Sequence, residues 1–129
     1  MGNTLFADGL GVAALLDFEV ASLGPPEIDL AWWLYCEDLF SVQFGIERLA
    51  GIPSAEDAIA GFEELYGRAM PEFDYYLAIA ALKHAVLSIR DYGNGTTIDT
   101  PEALPGFALD RLAGSIARHK QATALRSAP

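Results

Sequence analysis

Apolar positions along this chain follow two different rhythms. Near the N-terminus they come in short runs, TLF and VAALL, separated by ADGLG. Runs of that length around Gly and Asp predict a β-hairpin. From Ile28 to about Phe44 nearly every helical turn carries large apolar groups: Leu30, Trp32, Trp33, Leu34, Tyr35, Leu39, Phe40 and Phe44. A helix apolar around most of its circumference belongs in an interior, so this segment is expected to be the hub of the domain. Between hairpin and helix, Gly24, Pro25 and Pro26 break regular structure, and Glu27 and Asp29 then fall where a helix dipole is positive.

Three more helices follow from the same pattern. Ser54 is a good N-cap with Glu56 and Asp57 in the first turn. Ala55, Ala58, Ile59, Phe62, Leu65 and Tyr66 then recur at three- and four-residue spacing up to Gly67. Pro71 opens a helix running to about Tyr92, where Gly93-Asn94-Gly95 stops it. A loop through Pro101 and Pro105 leads to the last helix, whose stripe is Leu109, Leu112, Ala113, Ile116 and Ala117. The expected fold is therefore mainly α, one short β-hairpin and four helices, in a single domain over 1–129. Within it, 1–23 forms the hairpin and loop and 24–129 the helical subdomain. A two-stranded hairpin is marginal alone, so it must lean on the helices or on something outside the chain.

Composition narrows the classes. At 129 residues and 52% apolar, one domain burying about two-thirds of its unfolded surface is expected. The longest apolar helix, FDYYLAIAALKHAVLSI, is interrupted by Lys83 and His84, and a bilayer span needs about 20 nearly uncharged residues. No membrane association is expected, and no basic n-region marks a secretory signal. The one cysteine, Cys36, forms no internal disulfide and fits a reducing, cytoplasmic setting. Net charge is −10, and it is uneven. Residues 1–104 hold 17 acids against four bases, whereas 105–129 hold Asp110 against Arg111, Arg118, Lys120 and Arg126. An acidic body argues against nucleic acid, whose phosphates demand a basic footprint.

The hairpin carries the candidate chemistry. With the turn centred on Leu10, Phe6 pairs with Ala14, Leu5 with Leu15 and Thr4 with Leu16, and Asn3 falls opposite Asp17. Directly opposed residues bring their Cβ atoms within roughly 4.5–5.5 Å. An amide oxygen and a carboxylate so placed suit Mg²⁺, which takes one or two protein oxygens plus phosphates and water. Spacing alone favours the plain reading, in which Asp17 ends a strand and Asn3 lies in a polar, frayed terminus. A one-residue slip would destroy this pairing.

The stretch GNTLFADGLGVAALLDFEVASLGPPEIDLAWWL, from Gly2 to Leu34, closely resembles the aminoglycoside phosphotransferase/choline kinase-like family, which has the protein-kinase-like fold. That family's catalytic loop reads H-G-D-x-x-x-x-N. A hairpin follows, then a metal-binding Asp in a D-[FW]-[EG]-like motif, a short G-[DP]-P segment, and a helix entered through D-L-A-W. Gly2-Asn3 resembles the end of that loop, Asp17-Phe18-Glu19 the metal motif, Gly24-Pro25-Pro26 the turn, and Asp29-Leu30-Ala31-Trp32 the helix entry. The resemblance implies the helical C-terminal lobe of a kinase-like fold. It makes Asn3 and Asp17 the Mg²⁺ ligands and Asp29 a structural carboxylate that accepts hydrogen bonds from the catalytic-loop backbone. Glu19 stays open between a supporting and a solvated role.

It also implies what is missing. The His-Gly-Asp, with the Asp that takes the acceptor hydroxyl's proton, and the ATP-binding N-terminal lobe have no counterpart here. The chain is expected to be the C-terminal part of an ATP-dependent phosphotransferase that acts on a small-molecule hydroxyl acceptor when complete and does little chemistry alone. Met1 falling inside a motif favours a truncated frame over an expressed domain or a split protein. An uncovered apolar face predicts a homodimer or higher oligomer. The competing reading is a non-enzymatic helical interaction or oligomerisation module.

Other constellations carry less. One Cys and two distant His cannot build a structural zinc site. Cys36 reads as a core residue rather than a reactive thiol, and His84 as a solvated or core-edge histidine rather than a catalytic one. Ser22 and Ser54 lack the G-x-S-x-G context of a hydrolase nucleophile. Trp32 and Trp33 suit core packing better than a cationic head group. Glu37 and Asp38 could face a cationic acceptor or simply solvent.

Overall fold

A computed structural model of the chain describes residues 3–9, 11–18, 21–93 and 103–127. Its hairpin consists of β1 (Thr4–Phe6) and β2 (Val12–Leu15), paired antiparallel. The Ala7 N–H donates to the Gly11 carbonyl at 2.8 Å, and Gly9 turns the chain at φ +90°. Thr4 faces Leu15, Leu5 faces Ala14 and Phe6 faces Val12, with a bulge between the first two pairs and the third. The sequence-derived register is thus corrected: Thr4 pairs with Leu15 rather than Leu16, because the turn closed by Ala7 and Gly11 centres on Gly9 rather than Leu10, and the bulge, an extra residue on β2, recovers only one of the two positions lost. The hairpin does not lean on the helices. Leu5, Phe6, Val12 and Leu15 are each more than half exposed.

Helix α1 (Glu27–Asp38) starts after Pro26, whose φ of −66° already matches a helix, and no side chain caps it. It buries Glu27, Leu30, Ala31, Leu34 and Tyr35 along one side. A π-helical turn over Leu39–Gln43 extends it, closed by the Phe44 N–H to the Leu39 carbonyl at 3.2 Å. Helix α2 (Ala55–Tyr66) begins and ends as its sequence predicts. The Asp57 N–H donates to Ser54 Oγ at 3.0 Å, and Gly67 closes the helix at φ +72°, its N–H on the Glu63 carbonyl. Only part of its stripe packs: Ala58, Ile59 and Phe62 touch the core, whereas Leu65 and Tyr66 lie exposed.

Helix α3 (Phe73–Gly93) lies between α1 and α4 (Ala103–Arg126), so the hub is α3 rather than α1. Apart from Phe73, its buried positions are small: Ala78, Ala80, Ala81, Ala85 and Ser88. Small side chains let helix backbones approach closely, which explains why a less bulky helix takes the centre. Helix α4 takes Pro105 into its first turn, where the missing N–H costs nothing. Its buried phase differs from the expected stripe. Ala108 and Ser115 are buried and Phe107 and Leu112 pack on the core, whereas Leu109 and Ile116 face outward. The uneven charge of the sequence acquires a role here. Arg118 Nε donates to Asp74 at 2.7 Å, Arg126 Nη2 to Glu72 at 2.6 Å, and His119 Nδ1 sits 3.1 Å from Glu72. The basic end of α4 thus clasps the acidic start of α3. No helix among the described residues is long and apolar enough to cross a membrane.

Candidate functional site

At the open end of the hairpin the strands continue for one further hydrogen bond, from the Leu16 N–H to the Asn3 carbonyl at 2.8 Å. Asn3 therefore stands opposite Leu16, and Asp17 lies one position beyond. Its backbone is left-handed, φ +62°, unlike every other described non-glycine residue. That conformation costs an L-residue roughly 1–2 kcal/mol, and here it turns the carboxylate back toward the partner strand. Asn3 Nδ2 then donates to Asp17 Oδ2 at 2.9 Å. The two side chains meet despite the slipped register, and a local backbone twist is what restores the meeting. Both are exposed. Glu19 lies outside the described residues.

Behind Asp17 opens a cleft of about 360 Å³. Asp17, Phe18 and Ser22 form one side and Asp29, Trp32 and Lys83 the other. Asp29 sits in the first turn of α1, exposed, and no described residue hydrogen-bonds its carboxylate. The two carboxylates singled out in the sequence therefore face the same space. Lys83 was not among the expected site residues, yet α3 carries it there, with Nζ 4.6 Å from the centre of the Trp32 ring. A cation therefore already lies over one face of Trp32. Only the packing of α3 on α1 brings positions 32 and 83 together, and no spacing in the sequence signals it.

Chemically the hairpin end offers hard oxygen donors: the Asp17 carboxylate and the Asn3 amide oxygen. Such donors suit Mg²⁺, which keeps several waters and fills its remaining positions with phosphate oxygens. No cluster of three or more His, Cys, Asp or Glu side chains gathers to hold a metal among the described residues.

Other singled-out residues have structural partners. Glu37 and Asp38, weighed as acceptor-facing acids, pair with Arg48 at 3.6 Å and Arg111 at 3.3 Å. Cys36 is half-buried, and burial raises its thiol pKa. His84 is at the core edge, 2.8 Å from the Tyr35 hydroxyl through Nδ1 and 3.4 Å from Ser88 Oγ through Nε2. Burial lowers its pKa and raises that of Tyr35, so both are held neutral. Compared with family models and with solved structures, the chain matches none.

Proposed function

We propose that this chain is the C-terminal part of an ATP-dependent small-molecule phosphotransferase of the aminoglycoside phosphotransferase/choline kinase type, with the helical C-terminal lobe of a protein-kinase-like fold. The observation that supports it most is the meeting of Asn3 and Asp17 across the hairpin, with Asp17 in a strained backbone state. Strain of this kind persists where a side chain must be aimed. In this reading Asn3 and Asp17 hold Mg²⁺, which when bound with ATP neutralises charge on the transferring phosphoryl group. The chain's own contribution is positional. The hairpin sets the distance between the two ligands, and Gly24 and Pro25 line the cleft beside α1. Asp29 lends the far wall a second carboxylate that organises backbone arriving from outside this chain. A hydroxyl acceptor would enter that same cleft.

The Asp that takes the acceptor's proton and the Lys-bearing ATP lobe are not among these 129 residues, so the polypeptide alone is expected to transfer little phosphate. The protein is read as cytoplasmic and oligomeric, without nucleic-acid or membrane partners. A second reading, a non-enzymatic interaction module, is favoured by one observation: the apolar residues of the hairpin lie open on both faces.

A magnesium titration followed by amide NMR separates the two. Under the phosphotransferase reading the Asn3 side-chain amide and the Asp17 backbone amide shift and saturate at millimolar Mg²⁺, and Asp17→Asn abolishes the response. Resonances that stay put across the titration would leave the interaction module standing instead.

A further inference from the structure

The tip of the hairpin holds an aspartate followed directly by a glycine, Asp8-Gly9. Both are exposed and form the turn between β1 and β2. Gly9 stands at φ +90°, and no atom lies within 4 Å of the place a side chain would take. The turn is closed by the Ala7 N–H and the Gly11 carbonyl, while among the described residues the Gly9 N–H donates to no backbone carbonyl. An unbonded amide next to a carboxyl, with no side chain to crowd it, can approach Asp8 Cγ. The strands on either side are exposed rather than packed on a helix, so nothing clamps the tip.

Every other aspartate among the described residues lacks one of these features. Asp29, Asp38, Asp57, Asp74, Asp91 and Asp110 lie within helices, where fixed backbone angles and the helical hydrogen bonds keep the following amide from its carboxyl. Asp17 is followed by Phe18, whose side chain crowds the nitrogen, and its carboxylate already receives Asn3 Nδ2.

We propose that Asp8-Gly9 is a site of spontaneous backbone rearrangement to isoaspartate, and that this modification undoes the register of the hairpin. The Gly9 nitrogen bonds to Asp8 Cγ, a C–O bond of the carboxyl breaks, and the hydroxyl leaves with the amide proton as water. Water then adds back to the closed imide ring. Cleavage between nitrogen and Cγ restores aspartate. Cleavage between nitrogen and the main-chain carbonyl carbon leaves isoaspartate, with the chain running through Cβ and Cγ. The molecule gains no atom, but its main chain is one atom longer at the turn. Register in a hairpin follows from the length of its turn. The Ala7–Gly11 closure and the bulge on β2 fit the turn as it stands, and a hairpin of two strands is marginal to begin with.

The full chain is incubated for weeks in neutral buffer, folded and in urea, then digested and mapped by electron-transfer fragmentation, which marks isoaspartate by breaking its Cα–Cβ bond. In the folded sample isoaspartate should build up at position 8 severalfold faster than at any other aspartate. Asp8→Glu, which would need a larger ring, should abolish it. Asp8→Asn should accelerate it through the same ring, read as the mass gained when an amide becomes an acid. Amide NMR of the aged folded chain should show new resonances for Thr4–Phe6 and Val12–Leu15, with those of the helices unmoved. Isoaspartate no more abundant at Asp8 than at the helical aspartates, or confined to the urea sample, overturns the proposal without recourse to any variant. An aged chain whose strand amides stay in place overturns the link to register.

Discussion

Glu27 is an acid with 3% of its surface exposed, at the start of a helix that no side chain caps. Its Oε1 receives Arg68 Nη1 at 2.6 Å, while Oε2 is buried with no hydrogen-bond partner. Arg68, by contrast, keeps much of its side chain in water. The hydrogen bond from Arg68 pulls the Glu27 pKa below 4.5 against the opposing effect of burial. A carboxyl whose folded pKa is depressed contributes stability above its unfolded value and loses it as pH falls through the folded one. Thermal melts across the acid range should therefore show Glu27→Gln least affected by acid. The gap between the two proteins should be widest above pH 4.5 and close as the solution acidifies. A gap of constant size would mean that the Arg68 contact does not set the titration of this group. Sequence reading placed Glu27 near a helix dipole, which is where it stands. It could not see Arg68, 41 positions away, because that pairing depends on the chain after α2 folding back over the start of α1.

At the scale of elements, α4 shows how a hydrophobic pattern can mislead. Leu109 and Ile116 belong to the apolar stripe read on this helix, yet they lie 52% and 40% exposed, while Ala108 is fully buried and Ser115 nearly so. The α3 surface explains the choice. It presents alanines inward, and a helix meeting them closely must bring small residues to the contact. Ala108→Leu should thus cost about 1–3 kcal/mol by overpacking. Leu109→Ala should stay within about 0.5 kcal/mol, as an exposed change does. Denaturant unfolding of both variants checks this, and the reverse order would restore the stripe read from sequence. The caps of α2 behaved differently. Ser54 and Gly67 act within their own four residues, so nothing beyond them can override the signal.

For the whole molecule, the exposed apolar residues concentrate outside the helical packing. Leu5, Phe6, Val12, Leu15 and Phe18 stand open on the hairpin, and Phe40, Val42 and Ile46 stand open after α1. Patches of this kind are usually covered by association, which supports the oligomer proposed above. Sedimentation at micromolar concentration should find a dimer or larger species, and Phe6→Lys with Val12→Lys should return it to the monomer. A monomeric unmutated chain would detach the hairpin from any self-contact.

The amino-acid sequence by itself determined the number and order of the elements, the ends of α2 and the break at Gly24-Pro25-Pro26. These are decided by neighbours within a few positions, through caps, turns and fixed backbone angles. Only the tertiary structure decided the register that left Asn3 opposite Leu16, and the left-handed Asp17 that undid its effect. It likewise decided the face α4 buries and the arrival of Lys83 beside Trp32. Each of those outcomes depends on how closely two distant backbones can approach, and that distance is set by the side chains of both at once.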